Sequence, residues 1–272
     1  MVATPIGNMF DISLRAIYIL KTVKCVFAED TRQAKKLFNF YEIDTPLVAC
    51  HEYNEIDESV ISKIKEGEKY ALISDAGSPL ISDPGYRLVN WCSEHEIEVF
   101  VIPGACSLIT ALSSSGLPTD SFIFYGFIAP KENARVNFLK SVKDATETMI
   151  FFESPVRILK FLKNACEIFG NRRCCVCREL TKIYEEKLRG TLQEMINYFS
   201  ENQPKGEFVI VIAGNTDANS EESEKNMIEE LKTLMQSESL KESVQKISEK
   251  YEVSKKNIYQ KALEFKKNFE DF

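Results

Sequence analysis

The sequence lacks the common glycine motifs that bind nucleotides, and it contains only two histidines and one tryptophan. None of its 11 glycines lies in a G-x-G-x-x-G sequence or in a P-loop, so neither pattern marks a dinucleotide or nucleoside triphosphate site. No apolar run approaches the roughly 20 residues of a membrane-spanning helix. No charged segment followed by an apolar stretch opens the chain, so no export signal is predicted. We therefore expect a cytoplasmic protein without a membrane partner.

An excess of positive charge is also missing. The net charge of −7 argues against a surface that binds polyanions over its whole area, so an RNA ligand would need local basic patches. Eight cysteines without an export signal indicate a reducing compartment. The cluster Cys174–Cys177 has no second cysteine pair at the spacing of a zinc site. We interpret the cluster as a buried strand and expect no metal site.

The chain does contain an alternation of short apolar runs and helical segments. In the first half, this pattern predicts strands at 25–28, 46–49, 70–73 and 99–102, and helices at 13–21, 57–66 and 86–95, with a further helix of small residues that ends at Ser115-Gly116. Such alternation is typical of a parallel sheet. In the second half, it predicts strands at 122–127, 148–153, 174–178 and 207–213, and helices at 133–143, 155–168 and 191–201.

These patterns divide the chain into three parts: an N-terminal α/β domain (1–116), a C-terminal α/β domain (117–215) and a helical tail (226–272). The polar segment 215–224 lacks large apolar residues and is typical of a flexible linker. In the tail, Ser239 and Glu242 form a capping-box sequence. The tail has eight lysines and four glutamates between residues 240 and 267. A helix-turn-helix that contacts RNA and a solvated helical pair are equally compatible with this pattern.

The stretch Ser74–Gly85, with the sequence SDAGSPLISDPG, follows the apolar run Tyr70–Ile73. Open α/β sheets place ligands at loops that leave the carboxyl ends of their strands. Gly77 and Gly85 permit close backbone approach or a positive φ. The serines and aspartates offer hydroxyls and carboxylates to an adenosine-like or cationic small molecule. An ordinary strand-to-helix loop is the alternative interpretation.

This stretch resembles the characteristic loop of the ribosomal RNA small-subunit methyltransferase I family, a branch of the tetrapyrrole-methylase superfamily. Four further stretches resemble that family in the same order: ATPIGN at 3–8, AEDTR at 28–32, FESP at 152–155 and RELTK at 178–182. The resemblance runs from residue 2 to about residue 214. It implies two α/β domains of tetrapyrrole-methylase type with the cofactor cleft between them, followed here by a small helical appendage.

The resemblance also implies S-adenosyl-L-methionine as the cofactor and 2′-O-methylation of a cytidine ribose in small-subunit (16S) ribosomal RNA as the reaction. The implied partners are ribosomal RNA or the 30S subunit and a second copy of the chain in a homodimer. The residues expected to line the cofactor cleft are Pro5, Gly77, Ser78, Leu80, Ser82, Asp83, Ala105 and Cys106. The family usually carries Pro-Ser or a close equivalent where Ala105-Cys106 stands, so no hydroxyl contact is carried over to those two positions.

A ribose 2′-hydroxyl is a poor nucleophile at neutral pH, so a base or a nearby positive charge should assist its deprotonation. The candidates for this role are Glu29, Asp30, Glu153 and Lys182. Glu29 and Asp30 follow a predicted strand end, although an acidic pair at a helix N-terminus is the structural alternative. Candidate RNA contacts are the basic residues within or near the motifs: Arg32, Lys35, Lys36, Arg157, Arg178 and Arg189. Each of these alone is more often a surface ion-pair partner.

Two other functions are compatible with the same residues. One is a methylase that acts on a tetrapyrrole or another small molecule, and the other is a non-catalytic RNA-binding module of ribosome assembly. The lysine-rich tail and the AEDTR and RELTK stretches favour RNA over a tetrapyrrole. The intact cofactor loops argue against a non-catalytic module.

Overall fold

The computed structural model describes residues 1–65, 67–215, 227–235, 238–251, 253–255, 258–260 and 262. The chain divides into two compact units, Met1–Gly214 and Asn215–Phe272. Both sheets belong to the first unit, and the boundary we place at residue 117 lies between them.

Three parallel strands form the first sheet in the order β2-β1-β3, with the bounds β1 Cys25–Ala28, β2 Leu47–Ala49 and β3 Tyr70–Ile73. The central strand β1 is buried at all four positions, which is why its sequence is a continuous apolar run without alternation. The first residues of the chain extend this sheet beyond β3, because the Val2 N–H donates to the Leu72 carbonyl and Val2 forms a parallel bridge with Ile102.

The strand predicted at 99–102 is wrong, apart from the bridge at Ile102. Phe100 and Val101 are exposed, and the ammonium group of Met1 donates to the Phe100 carbonyl at 2.7 Å. A cavity of about 860 Å³, lined by residues of β3 and of 97–102, occupies the space beside this segment. Residues 1–3 lie alongside the end of this segment, but their pairing with it amounts to a single bridge, between Val2 and Ile102. An apolar run forms a strand only as far as a neighbouring strand pairs with it, and the run itself does not report that extent.

The described residues of the first half form a 3-10 helix, Met9–Asp11, and five α-helices: α1 Leu14–Thr22, α2 Thr31–Tyr41, α3 Glu58–Ile61, α4 Tyr86–Glu94 and α5 Ser107–Ser115. Ser13 caps α1 as predicted, because its side chain accepts a hydrogen bond from the Ala16 N–H. Helix α3 is shorter than the predicted 57–66 helix. Just beyond its end, the Tyr70 hydroxyl donates to the Lys63 carbonyl, which removes an acceptor that a longer helix would use.

Five strands form the second sheet in the order β4-β5-β8-β6-β7, with the bounds β4 Phe122–Phe127, β5 Thr148–Glu153, β6 Arg173–Arg178, β7 Glu186–Thr191 and β8 Phe208–Ile212. Only the β4–β5 pair is parallel, and the other three pairs in this sheet are antiparallel. The sequence did not predict β7, since this half-buried edge strand carries three charged residues in six. The three cysteines of Cys174–Cys177 are buried in β6, as predicted.

The two faces of the second sheet have different roles. One face packs against α6 Glu132–Ser141, α7 Ile158–Phe169 and α8 Leu192–Glu201 and forms the largest apolar cluster. The other face, which includes Ile150 and Phe152, packs against α5 and against Ile6 and Ala105 from loops of the first half. The second face of the sheet therefore packs against the loops of the first half that contain Ile6 and Ala105.

The second unit contains helical residues at 227–235 and a helix over Leu240–Lys250. The capping box predicted for Ser239 and Glu242 is present in both directions. An apolar cluster joins the helical residues of this unit: Met227, Leu231, Val244, Ile247, Ile258 and Ala262. Of the predicted linker at 215–224, all but Asn215 lies outside the described residues. In the part of the chain that the structure describes, no helix is long and apolar enough to cross a membrane.

Candidate active site

The loop Ser74–Gly85 joins β3 to α4 and has an unusual backbone. Four of its residues have positive φ: Gly77 at 80°, Leu80 at 73°, Ser82 at 63° and Gly85 at 123°. For a residue with a side chain, this conformation costs on the order of 1–3 kcal/mol, and such residues cluster at ligand sites. Glycine at position 85 avoids a clash, because a Cβ there would lie 2.8 Å from Leu72 and from Leu80. The loop therefore holds Leu80 and Ser82 in a backbone conformation that is uncommon for residues with side chains.

Two other motif loops pack directly against this one. Thr4 and Gly77 exchange backbone hydrogen bonds, and the Ser78 hydroxyl donates to the Ala105 carbonyl at 3.4 Å. A Cβ at Gly77 would lie 3.1 Å from the Ile6 side chain. Cys106 follows as the N-cap of α5, without a side-chain cap hydrogen bond. The structure thus brings together predicted cofactor residues from three separated segments of the chain, 3–8, 74–85 and 104–106.

Three carboxylates interact at the carboxyl ends of β1 and β3. Burial raises the pKa of Asp83 to about 6; a hydrogen bond from Ser74 opposes this rise, and the charges of Glu29 and Asp75 add to it. Burial raises the pKa of Glu29 also, and the nearby Asp75 adds to this effect. Asp75 accepts a hydrogen bond from the Asp30 N–H at 3.1 Å. Sequence reasoning omitted Asp75 from the candidates, although it lies inside the Ser74–Gly85 loop.

Asp30 has a different environment from Glu29. Its carboxylate accepts the Arg32 N–H at 2.8 Å and forms an ion pair with the Arg32 guanidinium at 2.7 Å. These hydrogen bonds lower the pKa of Asp30 to about 2. Asp30 therefore caps α2 and remains ionised near neutral pH. It has the role of an acidic residue at a helix N-terminus, which is the alternative to a catalytic role.

Lys182 forms ion pairs with Glu179 at 3.0 Å and with Glu207 at 2.9 Å. Desolvation lowers the pKa of Lys182, but the hydrogen bonds to Glu207 and Glu179 outweigh it, so the net shift is upward. The lysine stem packs against Gly7, where a Cβ would lie 2.5 Å from Cγ of Lys182. The neighbouring Thr181 hydroxyl accepts the Asn8 N–H at 3.1 Å. Thr181 and Lys182 therefore hold the 3–8 loop in place through contacts with Asn8 and Gly7. Sequence reasoning missed this role of Thr181.

Glu153 is buried at the end of β5 and accepts hydrogen bonds from the Ser154 N–H at 2.9 Å and from Arg157 at 2.8 Å. Two other predicted RNA contacts also have protein partners. Arg178 donates to the Lys205 carbonyl, and Arg189 donates to the Ser114 carbonyl. The remaining three, Arg32, Lys35 and Lys36, are exposed on α2, and of these Arg32 is paired with Asp30. Among the described residues, no group of three His, Cys, Asp or Glu side chains is placed to hold a metal ion.

Comparison with known proteins places this arrangement in a family. Residues 1–196 match the family described as Tetrapyrrole (Corrin/Porphyrin) Methylases. The chain is 43% identical over 269 residues to Ribosomal RNA small subunit methyltransferase I of Synechocystis sp., covering 97% of this chain and 96% of that relative. It is 48% identical over 217 residues to the protein of the same name from Halalkalibacterium halodurans, covering 79% and 75% of the two chains.

Solved structures agree on the fold. Diphthine synthase superposes with a TM-score of 0.62 at 14% identity, covering 79% of this chain and 89% of that chain. Uroporphyrin-III-C-methyltransferase from Thermus thermophilus superposes with a TM-score of 0.56 at 17% identity, covering 81% and 96%. The predicted fold class is confirmed. The chain belongs to the tetrapyrrole methylase family and, within it, to the ribosomal RNA small subunit methyltransferase I branch.

Proposed function

We propose that the protein transfers a methyl group from S-adenosyl-L-methionine to the 2′-hydroxyl of a cytidine in 16S ribosomal RNA. The observation that carries this proposal is the interlocking of the 3–8, 74–85 and 104–106 loops. The first two loops are stretches by which the chain resembles the methyltransferase I branch. The relatives named Ribosomal RNA small subunit methyltransferase I support the class of substrate. The exact nucleotide and the 2′-oxygen as acceptor are part of the proposal.

The chemistry of these loops fits S-adenosyl-L-methionine, which supplies an electrophilic methyl group on a sulfonium centre. The three carboxylates Glu29, Asp75 and Asp83 give this edge of the sheet a negative field, which favours a cationic ligand. Small residues at Gly77 and Ala105 allow the loops to pack closely, and Ser78 and Ser82 carry hydroxyls. We assign Pro5, Leu80 and Cys106 to the walls of the same cleft.

For proton transfer, we favour Asp83 and Glu29 over Asp30. A carboxylate whose pKa lies near 6 is a stronger base than one whose pKa lies near 2, and it is still mostly ionised at neutral pH. We assign Lys182 to positioning the 3–8 loop, because its ammonium group already binds two glutamates. Glu153 is likewise bound to Arg157, so we assign this pair to holding the end of β5.

The RNA would contact the exposed basic residues Arg32, Lys35 and Lys36 of α2, together with lysines of the tail. We further propose a homodimer, because exposed apolar side chains line one part of the first unit. Phe10 and Phe40 stack edge-to-face at 5.7 Å, and Phe10 and Leu14 are 80% and 85% exposed. Such side chains typically become covered in an oligomer. The eight cysteines are all free thiols, which is compatible with the cytoplasm.

The test combines cells and purified components. A nucleotide-resolution map of 2′-O-methylation in ribosomal RNA, made with and without the protein, should lose one signal in its absence. Purified protein with S-adenosyl-L-methionine should restore that signal on 30S subunits or naked 16S RNA from the deficient cells. Restoration of base methylation alone would exclude the 2′-oxygen. Methylation of a tetrapyrrole with no change in RNA would favour the small-molecule alternative, and failure to bind the cofactor by calorimetry would favour a non-catalytic module.

A further inference from the structure

Strand β4 contains an irregularity at Gly126 that changes the direction of the side chain after it. Phe124 pairs with Ile150, but Gly126 rather than Tyr125 pairs with Phe151, so one residue is inserted on β4. Gly126 has φ of 63°, which glycine adopts without a steric penalty. Side chains alternate between the two faces of a sheet, and a bulge reverses that alternation beyond it. Phe127 therefore lies on the face of Phe124 instead of the face of Tyr125.

The aromatic contacts agree with this geometry. Phe127 packs edge-to-face on Phe152 at 5.5 Å, and Phe152 packs edge-to-face on Phe124 at 4.9 Å. On the opposite face, Tyr125 stacks on Phe151 at 5.3 Å. Phe127 remains 58% exposed, although it is a phenylalanine at the end of a strand in the larger sheet. The bulge thus leaves the Phe127 ring exposed, with the Phe152 ring packed against it.

This ring lies on the face that carries the motif loops. Phe124 and Phe152 belong to the apolar cluster that contains Ile6 and Ala105. A Cβ on Gly126 would lie 3.0 Å from the Ser82 hydroxyl oxygen, so this part of β4 contacts the 74–85 loop directly. Phe127 packs on Phe152, a member of this cluster, and therefore borders the candidate site.

We propose that the Phe127 ring is a stacking surface for a nucleobase. This inference rests on the proposed function, in which two nucleobases enter the site: the adenine of the cofactor and a base of the RNA acceptor. Both present a flat π-face to the ring, and an aromatic side chain supported on one side stacks on any base. Base stacking of this kind changes affinity by roughly fivefold to more than a hundredfold on removal of the ring.

The test replaces the ring without removing its packing. Phe127→Leu retains apolar contact with Phe152 and lacks the π-face, whereas Phe127→Tyr retains the π-face. The matched control is Phe122→Leu, at the other end of the same strand and 38% exposed. Affinity for S-adenosyl-L-methionine is measured by calorimetry, and affinity for a 16S RNA fragment containing the target nucleotide is measured by fluorescence anisotropy. Thermal unfolding of each variant verifies that it is folded.

We expect Phe127→Leu to weaken one of these two affinities at least fivefold, with Phe127→Tyr and Phe122→Leu within twofold of the parent protein. Loss of cofactor affinity identifies adenine as the stacked base, and loss of RNA affinity identifies a base of the acceptor. Retention of both affinities in a folded Phe127→Leu variant overturns the proposal, as does an equal loss in Phe127→Tyr. A parent protein that binds neither ligand overturns the proposed function itself, so the two failures are distinguishable.

Discussion

Thr4 and Gly77 exchange two backbone hydrogen bonds, 2.8 Å from the Thr4 N–H to the Gly77 carbonyl and 3.1 Å in the reverse direction. They lie 73 residues apart in the chain, yet this pair makes the 3–8 loop and the 74–85 loop a single structural element. The conformation of Gly77, at φ of 80°, therefore fixes the position of Thr4 and of the adjacent Pro5. A change at Gly77 is expected to alter both loops together.

The first prediction concerns Gly77→Ala. A Cβ at this position imposes left-handed strain of about 1–3 kcal/mol and lies 3.1 Å from the Ile6 side chain, which must move. We expect a folded protein whose affinity for S-adenosyl-L-methionine, measured by calorimetry, falls at least tenfold, equivalent to about 1.4 kcal/mol.

The control for this variant is Gly170→Ala. Gly170 also has positive φ, at 76°, but a Cβ there meets no atom within 4 Å. It should lose stability through backbone strain and keep its cofactor affinity. Equal cofactor affinity in the two variants would remove the 74–85 loop from the binding site.

The second prediction concerns Asp83→Asn and pH. The folded-state pKa of about 6 lies above the ordinary value of 3.8, because burial disfavours the charged form. The folded protein therefore binds more protons than the unfolded chain between these values, and the ionised Asp83 lowers the free energy of unfolding progressively as pH rises from about 4 to 6. Such a pKa difference corresponds to about 3 kcal/mol, which partial solvent contact reduces to about 1–2 kcal/mol.

Asparagine removes this charge, so Asp83→Asn should unfold with a free energy about 1–2 kcal/mol higher than the parent at pH 7.5 and about equal to it at pH 4. Denaturant unfolding at the two pH values measures the difference, with Asp144→Asn as an exposed control. If Asp83 is the base, the same variant also loses the rise in kcat/KM with pH near 6. A stability difference that is identical at both pH values would contradict the assigned burial of this carboxylate.

The sequence predicted the elements that form this site better than it predicted the contacts between them. The apolar run at 70–73 and the motif after it gave β3 and the 74–85 loop at their observed positions. The acid–base assignment within AEDTR was not decided by the sequence, because Glu29 and Asp30 are adjacent carboxylates. Only the structure shows that Asp30 binds Arg32 whereas Glu29 faces Asp75.

The unpredicted parts depend on contacts between residues distant in the chain. The bulge that redirects Phe127 is a matter of register between β4 and β5, and a lone glycine in a strand indicates a bulge only weakly. Arg178 and Arg189 donate to backbone carbonyls, which any sequence supplies, and Arg178 also pairs with Glu186 on β7, a strand that the sequence did not predict. For this reason, helical spacing and proximity to motifs identified the exposed residues Lys35 and Lys36 on α2, but failed to separate them from basic residues with protein partners, which include Arg32.

The third prediction concerns the homodimer. If the exposed apolar side chains near Phe10 are covered by a second copy, Leu14→Glu should introduce an unpaired charge into that interface, which is unfavourable. We expect the parent protein to sediment as a dimer at micromolar concentration and Leu14→Glu to sediment as a monomer with unchanged thermal stability of the chain itself. Val156→Glu, at another exposed apolar position, is the control. A parent protein that is monomeric and fully active would refute the dimer.

The last prediction concerns the tail, where the structure separates two kinds of lysine. Lys246 pairs with Glu238 and Lys250 pairs with Glu230, each at 2.6 Å, so their charges are partly neutralised within the second unit. Lys241 and Lys255 are exposed and line one groove with Tyr259, and neither has an ion-pair partner among the described residues. Because their charges are not neutralised by described carboxylates, Lys241 and Lys255 are the tail lysines that we expect to contact RNA.

The double variant Lys241→Gln with Lys255→Gln should therefore bind 16S RNA more weakly. Loss of two phosphate contacts should make the slope of log affinity against log salt shallower by roughly 1.4 to 1.8. The matched variant Lys246→Gln with Lys250→Gln should lower the stability of the second unit and leave the slope nearly unchanged. Neither change should alter cofactor affinity, because all cofactor loops belong to Met1–Gly214. Equal slopes in the parent and in the Lys241/Lys255 variant would show that these lysines are only a solvated face, and the exposed residues of α2 would then have to supply the RNA contacts.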